Sequence, residues 1–101
     1  MKIYKLNIHG AVLTGRDYGA LVMKEINQKM EKNMILDFEG VASLGSSFGD
    51  EVITPIARFN GGYVEVCNVS PAVKTALDDV ANDGEINITY ISELAKNGVS
   101  T

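Results

Sequence analysis

One cysteine and one histidine, Cys67 and His9, are all that this chain of 101 residues holds of the side chains that build disulfides and most protein metal centres. A lone cysteine excludes an intrachain disulfide and a cysteine-rich metal site, and its apolar neighbours give Cys67 the character of an inert core thiol. His9 has no Asp, Glu or Cys at ligand spacing beside it. It therefore reads as an exposed turn residue and not as a metal ligand or general base. Basic residues are also few: nine Lys and Arg against 13 Asp and Glu leave a net charge of -4, with no arginine-rich run. That excludes the electrostatic footprint of a nucleic-acid-binding protein. No apolar run approaches the roughly 18 residues of a membrane span, and the first residues lack a signal-peptide layout, so a cytoplasmic protein is expected. No phosphate-binding loop or nucleophile-base set is present. The expectation is a non-enzymatic chain with no cofactor and no bound metal.

What is present suits one packed domain over residues 1–101: hydrophobic residues make up 46% and charged residues 22% of the chain. Apolar and polar residues alternate over 1–8, which predicts an edge strand. His9-Gly10 supplies a turn and 11–13 a brief return strand, giving a small antiparallel hairpin at the N-terminal edge. Thr14 or Asp17 caps a helix whose inner stripe is Tyr18, Leu21, Val22, Ile26 and Met30, with Lys24, Gln28 and Glu31 on the wet face. Arg16 in the first turn opposes the helix dipole; it reads as a solvent-facing arginine or as one compensated by a nearby carboxylate or an anionic ligand.

The nearly continuous apolar run at 34–38 predicts a central strand covered on both faces. Asp37 interrupts it near its end, where its carboxylate can reach loop backbone donors. A Gly/Ser turn follows, and Phe48, Val52, Ile56 and Phe59 recur at helical spacing from Ser46 or Ser47 onward. Ser47 and Asp50 have capping-box spacing. Pro55 predicts a kink or a break in that helix. A second buried strand covers 62–67, Ser70 caps the next helix with Pro71 at its first position, and Val73, Ala76, Leu77, Val80 and Ala81 form its stripe. Asn82-Asp-Gly84 stops it. A final strand with one wetter face covers 85–91, then a short helical piece at 93–96 and a frayed end over 92–101. Strand-helix-strand repetition predicts an α/β fold: a mostly parallel sheet of four to five strands, with three to four helices packed on it.

The motifs Leu36-Asp-Phe-Glu-Gly-Val41 with Leu44-Gly-Ser-Ser47, and Asn68-Val-Ser-Pro71 to Leu77, resemble those of a STAS domain, the fold of anti-sigma factor antagonists and sulphate transporter tails. The narrower match is to an uncharacterised STAS-like family, whose signature couples that strand to a Ser-Phe-x-x-Glu helix start, here Ser47-Phe-Gly-Asp-Glu51. An arginine opening the preceding helix, here Arg16, fits the same family. The resemblance implies a bacterial signalling module without catalytic activity. Ser46 falls at the serine phosphorylated in antagonists, although Gly45 stands where they carry Asp and Phe48 where they carry Gly; Ser47 is the second candidate.

Two functions follow as expectations. One is docking on a histidine-kinase-like ATPase, an anti-sigma factor or another signalling protein, through Gly45, Ser46, Ser47, Phe48, Asp50, Glu51 and Arg16. The alternative is a small-molecule or anion-binding domain, or a metal-dependent enzyme, built on Arg16 with Asp37, Asp50 and Glu51.

Overall fold

The computed structural model describes residues 2–91. The helical piece at 93–96 and the frayed end over 92–101 lie outside the described residues. Within the described residues six strands and three α-helices follow one another: β1 Ile3–Lys5, β2 Val12–Leu13, α1 Arg16–Asn27, β3 Ile35–Asp37, β4 Ser43–Leu44, α2 Ser46–Phe59, β5 Tyr63–Cys67, α3 Pro71–Gly84 and β6 Asn87–Ile91. A four-stranded sheet runs β1-β3-β5-β6, and every pairing in it is parallel. β1 is at an edge and β3 is central, as the apolar patterns predict.

Each new strand of this sheet is added on the same side of the last. Because parallel crossovers are right-handed, stepping always in one direction puts α1, α2 and α3 on one face. α2 accordingly packs between α1 and α3. Tyr4, Leu36 and Val66 occupy one register line and face those helices. They join Val22, Ile26, Phe48, Val52, Ile53, Leu77 and Val80 in a single buried cluster. Burial of about 25 cal/mol per Å² of apolar surface makes this layer the main source of stability.

The N-terminal edge departs from the expected hairpin. β1 stops at Lys5, and Leu6–His9 form one turn of 3-10 helix that keeps Leu6 in the core and turns Ile8 out, 62% exposed. β2 does not return along β1. It pairs in parallel with β4, making a separate two-stranded ribbon with Val12 opposite Ser43 and Leu13 opposite Leu44. The edge is therefore parallel throughout, and sequence adjacency misleads because two-residue strands carry no periodicity to reveal their partner.

Local details also correct the reading. Gly15, at φ 92°, is the N-cap of α1, and neither Thr14 nor Asp17 caps it with a side chain. Leu21 lies outside the inner stripe at 62% exposed. α2 passes through Pro55 as one helix from Ser46 to Phe59. α3 has the predicted start, with Val73 N–H donating to Ser70 Oγ at 3.3 Å and Pro71 in the first turn. It runs to Gly84 and ends on Glu85, which adopts the left-handed conformation at φ 54°.

Candidate functional site

The turn into α2 is positioned by the segment 11–14. Ala42 N–H and Ser43 N–H donate to Ala11 O, and Gly45 N–H donates to Leu13 O at 2.9 Å. Gly45 is extended, at φ -91° and ψ 147°, and serves as the N-cap of α2 with no side-chain cap. The capping box expected of Ser47 and Asp50 is thus absent: the backbone enters the helix at Gly45, two residues too early for Ser47 to act as the cap. Ser46 is the first helical residue and exposed, while Ser47 is half-buried. A Cβ on Gly45 would meet Thr14 at 3.3 Å, so the turn lies close against the residue that precedes α1.

Arg16 and the acidic pair come together, with the carboxylates as the compensation for its place in the first turn. Arg16 Nη1 donates to Glu51 Oε2 at 2.7 Å, and Nη2 lies 3.7 Å from Asp50 Oδ2. The hydrogen bond to Glu51, with the charges of Glu51 and Asp50, raises the guanidinium pKa above its ordinary value. Gly19 makes this reach possible. Any Cβ there would sit 2.9 Å from Glu51 Cβ and 3.2 Å from the Phe48 carbonyl, so only glycine lets α1 approach the first turns of α2 this closely.

Two expected site residues do not join this surface. Phe48 is fully buried, 5.8 Å ring to ring from Tyr18, so its side chain belongs to the core and is withdrawn from any partner contact. Asp37 is buried at the end of β3, where its Oδ1 accepts from Glu39 N–H and from Asn68 Nδ2, both at 2.9 Å. The loop-donor role read for Asp37 is correct. Its partner Asn68, held at φ 56°, was not foreseen because the pairing spans 31 positions. Among the described residues no group of three or more His, Cys, Asp or Glu is placed to hold a metal ion, so Asp37 does not come together with Asp50 and Glu51 as a ligand set.

A second concavity, of about 340 Å³, lies beyond the ends of β5 and β6 and is lined by Cys67, Asn68, Lys74 and Tyr90 among others. Parallel sheets often place ligands there. Its chemistry is already engaged, however. Lys74 pairs with Asp78 at 3.1 Å and sits over the Tyr90 ring at 4.9 Å. Burial, then the charge of Asp37, pushes the Cys67 thiol up to about 11, so the nucleophilic thiolate is scarce near neutral pH.

His9 is the clearest misreading. Its side chain is only 7% exposed, stacks on Tyr4 and lies between the Tyr4 hydroxyl at 2.8 Å and Glu25 at 3.4 Å. No sequence signal marks this, because Glu25 is 16 positions away and comes beside His9 only through packing of α1.

No described helix is long and apolar enough to cross a membrane. Comparison with curated proteins and with solved structures finds no match. The family described as "STAS-like domain of unknown function (DUF4325)" matches residues 18–71, from the first turn of α1 through the Gly45–Glu51 turn to the start of α3. That match spans more than half of the chain and agrees with its parallel α/β architecture, and the chain belongs to this STAS-like family.

Proposed function

We propose that the protein is a cytoplasmic, non-enzymatic regulatory module that docks on a kinase-like ATPase or another signalling protein through the Gly45–Glu51 turn and the exposed side of α2. Phosphorylation of Ser46 controls that docking. The observation that carries the reading is the placement of Ser46: exposed, first in a 14-residue helix, with no side-chain cap at that end. A kinase can reach such a hydroxyl without unfolding the domain, and the orphan amides of the first helical turn favour an added phosphate.

Asp50 and Glu51 oppose a phosphate charge of about -1.5 to -2. Arg16 offsets much of that repulsion, since it is in contact with both carboxylates. The same pairing leaves Arg16 engaged and weakens the alternative of a free-anion site. Phosphate on this small surface acts on a partner through repulsion and desolvation, as it does in the antagonists that the turn resembles.

Affinity capture from the source cells with mass spectrometry tests this, using wild type and Ser46→Glu in parallel. Recovery of an ATPase or signalling protein with wild type, and its loss with Ser46→Glu, is the expected result. A captured partner that binds both forms equally would refute control at Ser46. Ser46→Glu and Ser47→Ala both silent in cells, with no partner recovered, would refute the docking reading.

A further inference from the structure

The 3-10 turn Leu6–His9 has no side-chain cap, yet its last residue is held from three directions. The His9 ring stacks on Tyr4 with 5.9 Å between centroids and 13° between planes. Tyr18 Oη donates to the His9 carbonyl. The two ring nitrogens meet different groups, Nε2 at 2.8 Å from Tyr4 Oη and Nδ1 at 3.4 Å from Glu25 Oε2. A carboxylate can only accept. The Tyr4 hydroxyl is buried, and that burial together with the charge of Glu25 raises its pKa, so it keeps its proton and can donate. A neutral imidazole suits both neighbours in one tautomer alone: Tyr4 donates to Nε2, and Nδ1–H faces the Glu25 carboxylate at 3.4 Å. The other tautomer would set the Nδ1 lone pair against the carboxylate.

From His9 the chain passes through Gly10 into the ribbon that carries the turn. Ala11 O accepts from Ala42 N–H at 2.7 Å and from Ser43 N–H at 3.2 Å, and Leu13 O accepts from Gly45 N–H at 2.9 Å. We infer that Glu25 is a positioning residue which, through the Nδ1–H tautomer of His9, holds the β2–β4 ribbon and the Gly45–Ser46 turn against α1. The functional meaning rests on that turn being the docking site, while the coupling itself is measured on the isolated protein.

Two NMR measurements test it: long-range proton-nitrogen correlation of the His9 ring, and amide exchange at Ala42, Ser43 and Gly45. In wild type the ring shows the Nδ1–H pattern. Glu25→Ala shifts it toward Nε2–H and speeds exchange several-fold at those three amides, while Val66 in the centre of β5 is unchanged. Glu25→Gln, whose amide oxygen accepts the same proton, restores both. An Nε2–H ring in wild type, unchanged exchange in Glu25→Ala, or equal acceleration at Val66 would overturn the coupling. A turn loosened in Glu25→Ala that still binds its partner normally supports the coupling and counts against the docking reading instead.

Discussion

Gly49 of α2 lies directly under Val80 of α3: a Cβ at position 49 would come within 2.4 Å of Val80 Cγ2. Val80 is fully buried. Alanine in a helix interior normally gains up to about 1 kcal/mol over glycine. Overpacking a core costs about 1–3 kcal/mol, and at this separation it wins. Gly49→Ala is expected to lower stability by about 1–2 kcal/mol in urea unfolding. Val80→Ala is destabilising alone, but the double variant should lose less than the sum of the two single losses, a non-additivity that independent sites would not show.

Thr54 presents the opposite case. Its Oγ1 is buried and has no hydrogen-bond partner among the described residues. An unpartnered buried hydroxyl costs about 1–3 kcal/mol, so Thr54→Val, which keeps the shape and removes the polar atom, should raise stability by about 1 kcal/mol. A lowered unfolding midpoint would mean that the hydroxyl has a partner after all.

The serines at the two helix starts should separate cleanly. Ser70 accepts from Val73 N–H, and loss of such a cap costs about 1 kcal/mol, so Ser70→Ala should lower the midpoint accordingly. Ser47 caps nothing, and Ser47→Ala should leave the midpoint where it is. An equal loss in both variants would restore the capping role to Ser47.

Cys67 predicts an alkaline dependence. Its thiol ionises at about 11 in the folded protein against an ordinary 9.0. The folded state therefore holds the proton more tightly, and the stability this contributes is present below pH 9 and lost as the pH rises toward 11. Unfolding midpoints should fall more steeply over that window in wild type than in Cys67→Ala. Thiol reagents at pH 8 should label the protein only after denaturant is added.

The legible parts of the fold were those where one residue's neighbours in sequence are also its neighbours in space. Ser70-Pro71 announces α3 because a cap and its helix are contiguous, and the apolar run at 34–38 announces β3 because burial on both faces leaves no alternation. His9, Asn68 and Gly19 were illegible for the converse reason. Each is defined by a residue on another element: Glu25, Asp37 and Glu51. At the site, the start of α2 at Ser46 or Ser47 and a carboxylate as one candidate neighbour of Arg16 were readable, since both follow from helix ends. The burial of Phe48 was not, because its place in the Ser-Phe-x-x-Glu signature gives no hint of which way the ring points.

The one-way order β1-β3-β5-β6 bears on how the chain is made. Each strand docks on the outer edge of the strand already in place, and each helix lies beside the one before it. Among the described residues no later strand of this sheet has to be threaded between two earlier ones. A nascent chain can therefore assemble this sheet in the order it leaves the ribosome, beginning with β1, α1 and β3, and each new strand needs only the edge left by the one before it.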